Sequence, residues 1–278
     1  MDDLVSTIWL DQHRHQAGVT ILDASLFMPS SGRDAAAEYR AAHIPGALLL
    51  DLEELVDVAD PAPHMLPSAD KFGRAMEAIG VGRDDRIIVY DNSPLRSASR
   101  GWFMLRHFGA PQVAVLDGGL GKWIAEGRDV ESGQVAPRPG ARFDADQRPG
   151  EVVTKRMIVN GAGRPILDAR SRPRFEGSEP DPRPGVDAGH APGARNLPFA
   201  DLYRADGTLK REEELRTAFV AAGVDPAAPF IASCGSGVTA TSLILAARRL
   251  GGRDAMLYDG SWSEWGADPA IRKELGPA

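Results

Sequence analysis

Short apolar runs alternate along the chain with longer stretches in which apolar residues recur at helical spacing. The clearest runs lie at residues 21–24, 87–90, 166–169 and 230–233. Amphipathic stretches at residues 97–108 and 239–250 are each followed by a glycine, where a helix C-terminus is expected. Alternating strands and helices favour parallel strands joined by right-handed crossovers. The pattern predicts an α/β fold with open, mostly parallel sheets and helices on both faces.

The landmarks of the first half recur in order in the second half, which indicates an internal repeat. The sequence HIPGA at residues 43–47 corresponds to HAPGA at 190–194, and LDGG at 116–119 corresponds to YDGS at 258–261. Each pair lies at a similar distance from its apolar runs. The chain therefore consists of two related α/β units.

The length of 278 residues fits two domains of ordinary size. We expect a first domain at residues 1–130 and a second at residues 151–278. The segment between them, residues 131–150, is rich in Pro, Gly and Arg and has no apolar periodicity, so it is predicted to be a linker.

Composition restricts the classes of partner. The chain is 43% hydrophobic and 26% charged, with a formal net charge of −7 and no dense stripe of Lys and Arg. Nucleic-acid binding is not expected, because counterion release from phosphates needs clustered cations. No apolar run approaches the roughly 20 residues that span a bilayer, and the N-terminal residues are acidic where a secretory leader is basic. We expect a cytoplasmic protein whose partners are small molecules or other proteins.

The repeat helps to separate structural residues from chemical ones. His43 and His190 occupy matching positions and are predicted to be structural. Cys234 is the only cysteine, and the matching residue in the first half is Asp91. A lone cysteine is often only a small buried apolar residue. Because Cys234 is present in one half alone, it is nevertheless the better candidate for chemistry, and no disulfide or multi-cysteine metal site is possible within the chain.

The residues around Cys234 predict a strand, a glycine-containing loop and a helix that begins near Thr239. Ligands of parallel α/β sheets bind beyond the carboxyl ends of strands. Gly235 and Gly237 allow the backbone to curl so that several N–H groups converge at a helix N-terminus, where an anion is stabilised. The anion would be the Cys234 thiolate, and the same N–H groups would hold the outer sulfur of a persulfide.

The two α/β repeats, the HxPGA sequences and CGSGVTA at residues 234–240 resemble the rhodanese superfamily of sulfurtransferases over essentially the whole chain. The resemblance implies two tandem rhodanese-like domains, of which the first is non-catalytic. It also implies sulfur transfer through a Cys234 persulfide without a metal or organic cofactor. The acceptor would be cyanide or a thiol such as thioredoxin.

Within the superfamily, the loop is similar to that of 3-mercaptopyruvate sulfurtransferases, which release pyruvate. Thiosulfate-using members carry two basic residues after the cysteine, where this sequence has Gly235 and Ser236. A dianionic donor needs cations at the loop, whereas mercaptopyruvate presents a thiol and a more distant carboxylate. The resemblance implies that the loop contacts the substrate through residues Gly235, Gly237, Val238 and Thr239.

Other site residues follow from the resemblance alone. Arg174 and Arg183 would grip the carboxylate and keto oxygen of mercaptopyruvate, since a guanidinium group matches a carboxylate in bidentate fashion. His64 and the Ser236 hydroxyl would form a proton relay, completed by an acidic residue. That position holds Glu53, where the family has an aspartate. Without the resemblance, the two arginines would be interpreted as surface charges and His64 as a loop residue.

Three alternatives remain. A thiosulfate sulfurtransferase differs only in its donor. A cysteine phosphatase or arsenate reductase needs an arginine six residues after the cysteine, and Ala240 stands there. A non-catalytic sulfur carrier or binding module is disfavoured by the intact cysteine loop and is tested only by an assay.

Overall fold

The structure is a computed structural model that describes all 278 residues. The chain divides into two compact units. The first comprises Met1–Asp57, Leu66–Arg148 and Ala205–Thr208, and the second comprises Val58–Met65, Pro149–Arg204 and Leu209–Ala278. A short segment from each half of the sequence therefore belongs to the unit formed mainly by the other half. The predicted domain limits at residues 130 and 151 stay predictions.

The first unit contains one five-stranded parallel sheet. Its strands are β1 (Leu4–Val5), β2 (Val19–Asp23), β3 (Leu48–Leu49), β4 (Arg86–Tyr90) and β5 (Val113–Leu116). Its helices are α1 (Thr7–His13), α2 (Ala35–Ala41), α3 (Ala69–Ala78), α4 (Ala98–His107) and α5 (Gly119–Ala125). The strand order β1-β5-β4-β2-β3 places β4 at the centre of the sheet.

The second unit repeats this arrangement. Its strands are β6 (Val152–Val153), β7 (Ile166–Asp168), β8 (Arg195–Asn196), β9 (Ile231–Ser233) and β10 (Met256–Tyr258). Its helices are α6 (Lys155–Val159), α7 (Arg172–Glu176), α8 (Glu212–Ala221), α9 (Ala240–Arg249) and α10 (Ser261–Trp265). The order β6-β10-β9-β7-β8 is the order of the first sheet, with β9 in the position of β4.

The predicted α/β fold is confirmed, because every ladder in both sheets is parallel. The apolar runs are strands since both faces of a parallel sheet are covered, which demands continuous apolar residues. The two predicted helices correspond to α4 and α9, with Gly109 and Gly251 just beyond their ends in the left-handed region, at φ values of 101° and 95°. Glycine adopts this backbone conformation without strain from a side chain.

His43 and His190 have structural roles, as the repeat predicts. Both are buried, and their rings stack on Tyr39 and Phe175, with centroid distances of 4.3 and 3.9 Å. Nδ1 of each ring lies within hydrogen-bond distance of the backbone carbonyl of the residue on which it stacks.

Trp262 and Trp265 belong to the apolar core of the second unit. No helix of the structure is long and apolar enough to cross a membrane.

Candidate active site

The loop that follows β9 carries Cys234 and leads into α9. Because β9 lies between β10 and β7, the loop leaves the middle of the sheet at its carboxyl edge. Cys234 is buried, with 2% of its surface exposed. Gly237 has a φ of +76°, which turns the chain into the helix. The sequence prediction of a strand, a glycine loop and a helix is confirmed here.

Most N–H groups of this loop are free of protein acceptors. The N–H groups of Cys234 and Gly237 each donate to Ser261 Oγ at 3.1 Å. The backbone N–H groups that have no acceptor within the protein belong to Gly235, Ser236, Val238 and Thr239. Such N–H groups at the start of a helix form a concave site that favours an anion.

His64 lies beside this loop. The segment Val58–Met65 is part of the second unit, and His64 Nδ1 lies 2.9 Å from Ser236 Oγ. His64 has a φ of 62°, an uncommon backbone conformation for a residue with a side chain. Strain of this kind costs on the order of 1–3 kcal/mol and clusters at functional sites. The structure therefore brings Cys234, Ser236 and His64 together.

Arg174 and Arg183 face the same loop. A Cβ atom placed on Gly235 would lie 3.2 Å from Arg183 Nη1 and 3.5 Å from Arg174 Nη2. Arg174 Nε is buried and has no hydrogen-bond partner. An unpaired buried donor of this charge is costly unless a ligand accepts from it. Glycine at position 235 therefore leaves the space between the loop and the two guanidinium groups free of a side chain.

Asp181, which the sequence analysis did not single out, holds the two arginines in place. Its carboxylate accepts from Arg174 Nη2 at 2.6 Å and from Arg183 Nη1 at 3.2 Å. The Asp181 side chain is 1% exposed, whereas those of the two arginines are 22% and 24% exposed. The acid therefore anchors the guanidinium groups from the protein side and leaves part of each accessible.

A second buried ion pair supports the turn before α7. Arg170 donates to both carboxylate oxygens of Asp168 at distances of 2.7 to 3.1 Å. Its guanidinium also lies 4.5 Å from the centroid of the Trp262 ring. In the first unit the matching Asp23 instead accepts from Ser25. The only sequence sign of this pair is that Arg170 follows the repeated acid and has no basic counterpart.

The other predicted residues divide in their outcome. Thr239 precedes α9, and its side chain makes no capping hydrogen bond there. A contact between Thr239 and the substrate stays a prediction. Glu53 is exposed in the first unit, where its N–H donates to Asp51 Oδ1. The Glu53 carboxylate has no hydrogen bond or ion pair. A part for Glu53 in a proton relay stays a prediction.

The matching loop of the first unit holds a carboxylate in place of a thiol. Asp91 follows β4 and accepts from Ser93 N–H at 3.0 Å and from Ala98 N–H at 2.7 Å. Burial raises the pKa of Asp91 to about 6, although both N–H groups favour the charged form.

The chain contains two α/β repeats, one with a cysteine loop and one without, and therefore belongs to a class of tandem-domain α/β proteins. A family model for the rhodanese-like domain matches residues 6–126 and again residues 153–268. The chain belongs to this rhodanese family. It is 42% identical over 267 residues to a 3-mercaptopyruvate sulfurtransferase of Escherichia coli, covering 95% of this chain and 94% of that protein.

Two further comparisons show how the family varies. The chain is 39% identical over 285 residues to a thiosulfate sulfurtransferase of Cricetulus griseus, covering 98% of this chain and 95% of that protein. The fold is similar to the crystal structure of SseA from Escherichia coli, described as a 3-mercaptopyruvate sulfotransferase, with a TM-score of 0.86 and 40% identity. That match covers 95% of this chain and 100% of the other. Overall identity thus differs little between relatives named for different donors.

Proposed function

We propose that the protein is a 3-mercaptopyruvate sulfurtransferase that carries sulfur as a persulfide on Cys234. The observation that carries this proposal is the pair of guanidinium groups, from Arg174 and Arg183, that faces Gly235 beside the buried cysteine. Two cations beside the residue that follows the nucleophile suit a small donor whose carboxylate lies a few bonds from its sulfur.

The donor binds with its carboxylate and keto oxygen on the two arginines. Arg174 Nε, which is buried without a partner, gains an acceptor from the substrate. Charge-assisted hydrogen bonds of this kind are about twice as strong as neutral ones. The hydrogen bonds to Asp181 hold both guanidinium groups in this position.

Sulfur transfer then follows in two steps. The Cys234 thiolate attacks the donor sulfur, an S–S bond forms, and the C–S bond of mercaptopyruvate breaks with its electron pair on carbon. The resulting pyruvate enolate takes up a proton at that carbon and leaves as pyruvate. An acceptor thiolate or cyanide next attacks the outer sulfur and regenerates the Cys234 thiolate.

Proton movement is assigned to Ser236 and His64. The 2.9 Å distance between Ser236 Oγ and His64 Nδ1 allows a proton to pass between them. In the proposed relay, the hydroxyl delivers the proton to the enolate and His64 replaces it. Glu53 is proposed as the acid that orients His64.

The acceptor we propose is a protein thiol such as thioredoxin, with cyanide as a substitute in the assay. A cytoplasmic location fits this acceptor, since that compartment keeps thiols reduced. Neither step needs a metal or organic cofactor.

Thiosulfate is the second candidate donor, and it is supported by the similarity to the thiosulfate sulfurtransferase of Cricetulus griseus. It is disfavoured because Gly235 and Ser236 bring no cation of their own to the loop. A non-catalytic sulfur carrier is the weaker alternative, since the arginine pair and the His64–Ser236 contact would have no use in it.

The test supplies purified protein with 3-mercaptopyruvate or thiosulfate, each with cyanide in excess, and measures pyruvate and thiocyanate. Mercaptopyruvate is expected to be the better donor by kcat/KM. Donor alone should add one sulfur to Cys234, seen by intact mass and removed by dithiothreitol. A higher kcat/KM for thiosulfate would contradict the assignment of mercaptopyruvate as the donor. If the Cys234→Ser variant bound sulfur as well as the wild type, the persulfide mechanism would be wrong.

A further inference from the structure

In the segment after β10, two of the differences between the repeats exchange glycine for serine. Ser261 and Ser263 in the second unit correspond to Gly119 and Gly121 in the first. The backbones match, because Trp262 N–H donates to the Cys234 carbonyl at 3.0 Å, as Leu120 N–H donates to the Asp91 carbonyl at 3.0 Å. At these two positions the second unit has a hydroxyl where the first unit has only glycine.

Ser261 keeps a backbone conformation that suits glycine. Its φ is 48°, and the φ of Gly119 is 58°. A Cβ atom on Gly119 would lie only 2.3 Å from the Asp91 carbonyl oxygen, which shows how little room the turn leaves. A residue other than glycine held at a positive φ is uncommon, and such residues cluster at functional sites.

The Ser261 hydroxyl uses all of its hydrogen-bonding capacity on the backbone around Cys234. It accepts from the N–H groups of Cys234 and Gly237 at 3.1 Å each and donates to the Tyr258 carbonyl at 2.8 Å. One proton and two lone pairs permit no more. Its Oγ lies 4.0 Å from Cys234 Sγ.

Ser263 holds the same loop at a second point. Its N–H donates to the Gly235 carbonyl at 2.9 Å, and its hydroxyl donates to the same oxygen. These two hydrogen bonds fix the orientation of the Gly235 carbonyl. Together the two serines fix the N–H of Cys234, the carbonyl of Gly235 and the N–H of Gly237.

We propose that Ser261 and Ser263, here called the serine clamp, are positioning residues for the Cys234 nucleophile. By fixing three peptide groups of the loop, they set the curvature that keeps its remaining N–H groups directed at the sulfur. Without the clamp, the loop spreads and the thiolate and persulfide lose part of their stabilisation. This inference rests on the proposed sulfur transfer for its role in turnover, but its effect on the thiol is independent of any donor.

The test uses three variants of the full chain: Ser261→Gly, Ser261→Ala and Ser263→Ala. Ser261→Gly introduces the residue that the first unit has at the matching position, Gly119, and removes the backbone strain. Because Cys234 is the only thiol, alkylation by iodoacetamide followed by intact mass reports on it alone. We expect the pH midpoint of the alkylation rate to rise by about one unit and kcat for mercaptopyruvate to fall about tenfold, with KM changed less than about threefold. The donor should still bind, since Arg174 and Arg183 are untouched.

Ser97→Ala is the matched control. Ser97 is a buried serine of the first unit that accepts from Leu26 N–H at 3.0 Å and donates to the Ala24 carbonyl at 2.8 Å. Its removal should lower Tm without changing the alkylation midpoint or kcat.

The outcomes separate the two proposals. A wild-type alkylation midpoint and a kcat within about twofold of wild type in Ser261→Gly would overturn the clamp. If Ser261→Ala fails to fold, Ser261→Gly and Ser263→Ala decide. If the wild-type protein transfers no sulfur from either donor, the proposed function fails, while the alkylation midpoint still decides whether the clamp acts on the thiol.

Discussion

The loops after β4 and β9 follow equivalent strands of two sheets with the same strand order. They differ in whether the side chain of the residue that follows the strand accepts hydrogen bonds from the backbone N–H groups of the loop. In the first unit, the Asp91 carboxylate fills the loop and accepts from two of its N–H groups. In the second, a small thiol stands at that position and four N–H groups remain without a protein acceptor. The first loop is occupied by the Asp91 carboxylate, and the second can bind an anion. In both loops the backbone N–H groups form the binding site, and the residue at position 91 or 234 determines whether it is filled from within the protein.

The largest effect should come from making the second loop a copy of the first. In Cys234→Asp, the carboxylate should accept from the loop N–H groups as Asp91 does, so the protein should fold with little loss of stability. Turnover of mercaptopyruvate should fall to background because no sulfur can be carried. Pyruvate release measures the loss of turnover, and a urea unfolding curve measures the stability of the variant. Residual turnover in Cys234→Asp would mean that another group carries the sulfur.

The arginine pair has no counterpart in the first unit, and its loss should be the next largest effect. Arg174→Met or Arg183→Met should lower kcat/KM for mercaptopyruvate by about ten- to a hundredfold, as expected for a hydrogen bond to a charged group. Asp181→Asn should lower it by about tenfold, because the guanidinium groups lose their anchor. Steady-state kinetics with pyruvate detection measures these changes.

Arg172→Met is the control for the arginine pair. Arg172 also lies in α7, but its side chain is 62% exposed and pairs with Asp201 at the surface. Its kcat/KM should stay within about twofold of wild type. Equal losses in Arg172→Met and Arg174→Met would point to a general effect on α7 and not to substrate binding.

The Cys234 loop also has a histidine beside it, because His64 lies in the segment Val58–Met65 of the second unit. His64→Gln should lower kcat by about tenfold while KM changes little, since the relay moves a proton and does not bind the donor. Glu53→Gln should have a smaller effect in the same direction if Glu53 orients His64. The dependence of kcat on pH should flatten in His64→Gln. An unchanged pH profile would remove His64 from the relay.

The smallest effect on turnover is expected at Asp91, where the consequence is for stability. Burial raises the pKa of Asp91 from 3.8 to about 6, so the folded protein binds this proton more tightly than the unfolded chain does. The Asp91 contribution to the free energy of unfolding therefore falls by about 2–3 kcal/mol as the pH rises from 4 to 6.

Asp91→Asn removes this contribution. Apart from a constant offset, the free energy of unfolding of the variant minus that of the wild type should rise over this pH range. Urea unfolding at pH 4, 5, 6 and 7 measures it, and a difference that does not vary with pH would contradict a raised pKa.

Much of the fold follows from local sequence. The runs at residues 21–24, 87–90, 166–169 and 230–233 predict strands because both faces of a parallel sheet are buried. The repeat then supplies what a single run cannot, since Cys234 stands out only against Asp91. These inferences depend on residues close together in the chain or on comparison of two copies.

The missed residues act across long sequence distances. Asp181 and the serine clamp carry common side chains that no local pattern marks. Folding brings them to the Cys234 loop from 53 positions away and from 27 and 29 positions away. No periodicity predicts that Ser261 Oγ accepts from Cys234 N–H. The replacement of Gly119 and Gly121 by serines was visible in the aligned repeats and gave the only available hint.

The close approach at Gly119 also limits what a single substitution can do in the first unit. Asp91→Cys would place a thiol after β4, but Gly119 and Gly121 stand where the second unit has Ser261 and Ser263. A Cβ atom added at Gly119 would lie 2.3 Å from the Asp91 carbonyl oxygen, so a serine there also requires a shift of the backbone. Engineering a second cysteine loop of the same kind therefore needs several coordinated substitutions.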